Sequence, residues 1–392
     1  MNILQVTNYF KPSWESGGPA RVVYEISKRL IKEKHKVTIF TTDGYKYRLN
    51  IEKNKSINVE GIEVYYFKNL SNYISRKMTV ITPTSFPLIV KNELHKFDII
   101  HIHEHRNFFA PFIYYYSNKY NIPYIIQAHG DMPIPNDNKL KIKTFYDKYL
   151  GMKILNNASK MIALNKTEFD CYLKNGIKKE KIEIIPNGIN SSEIKEEYKT
   201  GYFKKKYSIK NEKIILYLGR IHESKGIDFL IDALPLIIKK YSNFKLILAG
   251  PDIDYVSTLK KKINKLSISK YIIFTGYIDE LMKKSILIDS DIFVTPKFTG
   301  FPVTFIEACA FKTPIITTSE GDVLDWINNN VGYVTKYDKN EFADAIINLL
   351  INDKRRIEFG NKAKELVTRK FTWEIIVNEL ENIYQKCISK KT

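Results

Sequence analysis

The run TPKFTGFPVTFIEACAFKTPIITT, from Thr295 to Thr318, limits the fold more than any other stretch of the chain. An apolar strand ends at Thr295, a glycine turn follows, a helix opens near Pro302, and another apolar strand closes the run. Strand, helix and strand in so short a span call for parallel strands joined by a crossover helix. Gly300 permits close backbone approach, and Pro302 suits the first helical position, where its missing N–H costs nothing. The free amides of such a helix start face whatever anion sits before them.

The same alternation fills the rest of the chain. Apolar runs at Asn2–Val6, Val37–Thr41, Ile62–Tyr66, Asp98–His101, Tyr124–Gln127, Lys160–Ala163 and Ile182–Ile185 read as strands of one Rossmann-like domain. Gly17-Gly18-Pro19 leads into a helix through Lys34, with Val22, Val23, Ile26 and Leu30 at helical spacing. Pro186-Asn187-Gly188 and the polar stretch Asn190–Lys206 mark a break. Strands resume at Ile214–Leu218, Lys245–Ala249, Ile272–Thr275, Ile292–Thr295, Pro314–Thr317 and Tyr333–Thr335, with helices at Ile227–Tyr241 and Leu281–Ile288. Helical patterns at Glu341–Ile351, Arg355–Arg369 and Trp373–Ile388 end the chain. The fold class is α/β, with two Rossmann-like domains at residues 1–188 and 189–371 and a final helix at 372–392. With 392 residues, 44% of them hydrophobic, the chain can bury two cores.

No apolar run reaches the roughly 18–20 residues that cross a bilayer, and MNILQVTNYF reads as a buried strand, not a secretion signal. Cys171, Cys309 and Cys387 are too few and too scattered for a disulfide or zinc framework, which fits a reducing, cytoplasmic setting. The net charge of +19 is spread over both halves, and only nine of the 62 basic residues are arginine. That composition suits a solvated lysine surface or attraction to an anionic membrane or lipid phosphate at its inner face, and speaks against nucleic acid. The stretch Lys139–Lys160, with Leu140, Phe145, Tyr149 and Met152 among its lysines, reads as a surface helix or a membrane contact.

Two cations stand out in LGRIHESKG, Leu218–Gly226: Arg220 and Lys225 follow a strand end, at the carboxyl edge where open α/β sheets bind ligands. Fixed cations there stabilise a departing diphosphate as its charge grows. Glu307, on the second turn of the helix after Pro302, can accept two hydroxyl hydrogens from a ribose. Gly17-Gly18 before a helix permits phosphate approach, but it is not the dinucleotide fingerprint, which speaks against an NAD-linked dehydrogenase. His129 follows a strand, and Asp131 beside it suits either an acceptor hydroxyl or a turn. His101, His103 and His105 alternate along a strand and its exit, but the surrounding pattern is that of a buried strand. No metal site is expected, and His103 is a candidate on the acceptor side.

With Gly17-Gly18, His129-Gly130, Pro186-Asn187-Gly188, Leu218–Gly226 and Thr295–Thr318 in this order, the chain resembles the family 4 glycosyltransferases nearly end to end. The resemblance implies a GT-B fold, two Rossmann-like domains facing across a cleft, with the last helix crossing back to the N-terminal domain. It implies transfer of a sugar from a nucleotide sugar, with retention of anomeric configuration and no divalent metal. No cofactor is implied beyond the co-substrate, a UDP-sugar. The acceptor would be a glycan or a lipid-phosphate-linked hydroxyl in polysaccharide or glycolipid synthesis. Arg220, Lys225 and His129 would act at the reacting centre. Gly17, Gly18, Tyr277, Thr299, Gly300, Phe301, Val303, Thr304 and Glu307 would complete the donor site. One departure stands out: relatives usually carry a glutamate at the position of Thr299, where it holds the donor hexose. A non-catalytic subunit and a nucleotide-sugar epimerase of the same architecture remain open alternatives.

Overall fold

The computed structural model describes residues 1–390 except 46, 51, 53–54, 74–80, 131–144, 196–199 and 323. Its contacts divide the chain into two compact units, Met1–Asn187 with Trp373–Thr392, and Gly188–Thr372.

In the first unit the strands are β1 (Asn2–Val6), β2 (Lys36–Thr42), β3 (Ser56–Val59), β4 (Ile62–Phe67), β5 (Ile99–His103), β6 (Tyr124–Gln127), β7 (Lys160–Ala163) and β8 (Ile182–Ile184). They form one sheet in the order β3-β4-β2-β1-β5-β6-β7-β8, parallel except for the β3–β4 pair. Strand β3 went unread in the sequence because Ser56-Ile-Asn-Val alternates weakly. It is an edge strand made by a two-residue turn, Glu60-Gly61, in which both residues have positive φ, 55° and 89°.

Alternate residues of the central strands feed two apolar layers. Leu4, Phe40, Ile100, Ile102 and Ile126 pack on one face. Ile3, Val37, Ile39, Ile99 and Ile125 pack on the other, against Val22, Val23, Ile26 and Leu30 of the helix Gly18–Lys32. That second face is completed by the helix Trp373–Ser389, which buries Trp373, Ile376, Val377, Leu380, Ile383, Tyr384 and Cys387 there. The last residues of the chain therefore belong to the core built by the first.

The second unit holds β9 (Lys213–Leu218), β10 (Phe244–Ala249), β11 (Ile272–Gly276), β12 (Ile292–Thr295), β13 (Ile315–Thr318) and β14 (Gly332–Thr335). They form a wholly parallel sheet in the order β11-β10-β9-β12-β13-β14. The helix Ile227–Lys240 lays Ile227, Leu230, Ile231, Leu234 and Ile237 on this sheet.

Each sheet reverses direction of winding once, between β1 and β5 in the first unit and between β9 and β12 in the second. Ligands of open α/β sheets bind beyond the carboxyl ends of the strands at such a switch point. Among the described residues, no helix is long and apolar enough to cross a membrane.

Candidate functional site

In the second unit the exits of β9 and β12 are the two segments singled out in the sequence. Strand β9 hands on to Gly219 and Arg220. Gly250, at the β10 exit, has φ 141°, and a Cβ there would lie 2.0 Å from the Gly219 carbonyl oxygen, so only glycine lets the two exits meet. The Tyr217 hydroxyl donates to the Arg220 carbonyl at 2.8 Å. His222 Nδ1 accepts the Ser224 amide at 3.1 Å and closes the short turn Glu223–Lys225. Gly226 then enters the helix Ile227–Lys240 with φ 68°. A Cβ on Gly226 would come within 3.2 Å of Pro296, so the Lys225 turn rests against the β12 exit.

Arg220 is exposed and Lys225 half-buried, and neither has an acidic partner among the described residues. Burial, and then the charge of Arg220, lowers the Lys225 pKa from its ordinary value. Two like charges held together without a counter-charge are costly, and an anion between them relieves that cost.

Beyond β12, Thr317 Oγ1 donates to the Thr295 carbonyl at 2.7 Å and Thr318 Oγ1 to the Pro296 carbonyl at 2.6 Å. Phe298 pairs with Gly321, and the Gly300 amide donates to the Asp322 carboxylate. The Gly300 amide is thus engaged within the protein. Thr299 is exposed, and the buried Phe301 ring packs on Phe371 at 5.6 Å. Pro302 is not the first helical residue but the cap: its ψ of 116° is extended, and its carbonyl accepts the Phe305 amide at 3.0 Å. The helix Val303–Ala310 follows with no side-chain cap on its first amides, those of Val303 and Thr304.

Glu307 is buried in that helix, and its Oε1 lies 2.8 Å from Lys283 Nζ, which also reaches Glu280 at 2.8 Å. Although burial opposes its charge, Glu307 and Glu280 hold the Lys283 ammonium well above its ordinary pKa. Glu307 Oε2 has no partner among the described residues. Lys283 is a residue the sequence did not flag. Its spacing from Glu280 shows only an i,i+3 pair, and its link to Glu307 is tertiary. Tyr277, past β11, is exposed.

In the first unit, Gly17 takes φ 119° at the start of the helix Gly18–Lys32, whose first amides also lack a side-chain cap. Both glycines are exposed. His129, after β6, has φ 55°, and the next amide, Gly130, donates to Glu168 Oε1 at 3.1 Å. The other oxygen of the buried Glu168 accepts the Leu164 amide at 2.6 Å, which fixes the loop. His129 Nε2 lies 2.8 Å from His103 Nδ1. His103 is fully buried with both nitrogens engaged, the second by Gln5, so it has no free atom for the acceptor contact expected of it. His105 has left the strand and turns toward Asp147, at 3.6 Å, which Arg106 grips through two nitrogens. The three histidines therefore do not converge. Asp131 and residues 139–144 of the surface stretch lie outside the described residues, while Phe145 and Tyr149 are exposed.

Residues 16–193 match the family described as Glycosyltransferase Family 4, and residues 199–366 match Glycosyl transferases group 1. The chain belongs to the family 4 glycosyltransferases. An uncharacterized glycosyltransferase of Methanocaldococcus jannaschii is 25% identical over 98% of this chain and 98% of its own. The GPI3 subunit of the phosphatidylinositol N-acetylglucosaminyltransferase of Saccharomyces cerevisiae is 24% identical, over 84% of this chain and 70% of its own. Anabaena HepE, solved in complex with UDP and glucose, is 16% identical and superposes with a TM-score of 0.74 over 98% of this chain and 100% of that one. The fold is accordingly that of GT-B glycosyltransferases, and relatives of this glycosyltransferase act in glycolipid synthesis.

The shielded histidines should make this glycosyltransferase less stable in acid. Burial keeps His129 neutral, lowering its pKa to about 3. Burial also holds His101 and His103 well below the ordinary value, with repulsion from neighbouring rings adding to it. Unfolded, each takes up a proton near pH 6.5. Their contribution to stability is therefore present above about pH 6.5 and lost as pH falls, for His129 down to about 3. Melting temperatures should drop steeply between about pH 7 and about pH 5. A flat profile there would show that these rings protonate in place.

Proposed function

We propose that the protein transfers a sugar from a UDP-sugar to a hydroxyl of a glycan or lipid-linked acceptor, with retention of configuration and without a metal or cofactor. The observation that carries this reading is the pair Arg220 and Lys225, two cations with no acidic partner among the described residues, at the switch point of a parallel sheet. In this reading the diphosphate lies on those cations and on the first amides of the helix that follows Pro302. The ribose hydroxyls donate to Glu307, held in place by Lys283. As the bond from the anomeric carbon to the phosphate oxygen breaks, negative charge grows on the departing UDP, and the cations stabilise it more than they stabilise the ground state. The acceptor oxygen bonds to the anomeric carbon on the face that UDP leaves, and its proton passes to the departing phosphate oxygen. A UDP donor and a lipid-borne acceptor are supported by HepE, solved with UDP, by the yeast relative, and by the +19 charge with Phe145 and Tyr149 exposed.

Incubation of the full chain with UDP- and GDP-sugars, with and without lipid extract, tests the reading. Donor consumption that needs an acceptor, and a product glycoside of the donor's anomeric configuration by proton NMR, is the expected result. Interconversion of UDP-sugars without acceptor would make it an epimerase. Nucleotide binding with no turnover on any extract would make it a non-catalytic subunit.

A further inference from the structure

Five side chains of the first unit form one chain of hydrogen bonds that runs from the half-buried His129 into the core. His129 Nε2 lies 2.8 Å from His103 Nδ1, and His103 Nε2 lies 2.7 Å from Gln5 Oε1. Gln5 Nε2 donates to the Tyr384 hydroxyl at 3.2 Å, and that hydroxyl lies 2.8 Å from His101 Nδ1. Gln5, His101, His103 and Tyr384 have no solvent exposure. They lie together because Gln5 on β1 is level with His101 on β5, His103 follows two residues on, and the helix Trp373–Ser389 covers that face.

The order of protons along this chain follows from the Gln5 amide, whose nitrogen faces Tyr384 and whose oxygen faces His103. Tyr384 accepts from the Gln5 amide nitrogen, which turns the Gln5 oxygen toward His103. That oxygen can only accept, so His103 carries its proton on Nε2. A neutral ring with Nε2–H has a bare Nδ1, and the hydrogen between the two histidines must then come from His129 Nε2. His129 Nδ1 is left as an acceptor, with no partner among the described residues. Burial favours neutral rings throughout.

We propose that Tyr384, Gln5 and His103 are positioning residues that hold His129 in its Nε2–H tautomer, so that the ring offers the donor sugar an acceptor for a hydroxyl hydrogen. This rests on reading His129 as a donor-side residue. The opposite tautomer would present an N–H, which suits a phosphate oxygen. The choice of tautomer therefore selects which group of the donor the ring holds, and the Gln5 amide, held by a tyrosine on the last helix, sets it.

Nitrogen-15 NMR of the histidine-labelled full chain tests the proposal, with the His129 signals identified by their loss in His129→Ala. In the native protein His129 should carry its proton on Nε2; a proton on Nδ1 overturns the proposal without any variant. In Tyr384→Phe the Gln5 amide is free to turn over, so His129 should become a mixture of tautomers. Turnover should fall about tenfold, the worth of one neutral hydrogen bond, with donor KM little changed. Gln5→Met, which removes the same link, gives the same reading should Tyr384→Phe fold poorly. An unchanged tautomer in both variants overturns the relay while leaving the functional reading intact. Full turnover in His129→Ala overturns the donor-side reading and this proposal with it.

Discussion

Replacing Lys225 with alanine should lower kcat by about 10²–10³-fold and leave the melting temperature unchanged or slightly raised. The two halves of this result come from one arrangement. The ammonium is half-buried beside Arg220 with no acidic partner among the described residues, and both burial and its neighbour oppose its charge. Its removal therefore relieves the resting fold. It deprives the departing diphosphate of a cation at the moment its charge is greatest, so kcat should fall more than donor affinity. Arg220→Ala should behave alike. The double variant should lose less than the product of the two effects, since both cations serve one group. Glu307→Gln, by contrast, should weaken UDP binding itself, because its proposed partner is the ribose and its ion pair with Lys283 is lost. Steady-state kinetics, titration with UDP and thermal melts separate these outcomes. Normal turnover in Lys225→Ala would take that lysine out of the site.

The second unit was legible because its signals are local. The LGRIHESKG and TGFPVTFIE segments each carry strand exit, turn and helix start within a few residues, and glycine and proline fix the backbone there by their own stereochemistry. What the sequence could not give is what meets across elements. Lys283 reaches Glu307 from another helix, Asp322 takes the Gly300 amide from another loop, and Gly250 lets β10 close on the peptide before Arg220. The first unit was harder for the same reason. His103 reads as a candidate on the acceptor side because it stands at a strand exit, and only the packing of β5 under the last helix shows that its nitrogens are spent on Gln5 and His129. Strand β3 escaped because an edge strand buries too little to impose a clear alternation.

Ending the chain at Thr372 should prevent the first unit from folding. The lost segment supplies Trp373, Ile376, Val377, Leu380, Ile383, Tyr384 and Cys387 to the layer that also holds Ile3, Val37, Ile39, Ile99 and Ile125. Each fully buried large apolar side chain stabilises by about 1.5–3 kcal/mol, so losing even four of them rivals the roughly 5–15 kcal/mol that hold a whole domain together. The truncation would also expose β1 and β5 on that face, with Gln5, His101 and His103 left without the hydroxyl that organises them. Leu380→Ala offers a graded version, with a cost of about 2–5 kcal/mol. The core of the second unit contains no residue from this helix, so it should keep its own unfolding transition. Thermal melts and limited proteolysis of the truncated chain should then show one transition in place of two and early cleavage confined to residues 1–187. A truncated protein that retains both transitions would mean that the final helix is a cover on a finished sheet, with the relay through Tyr384 dispensable to the fold.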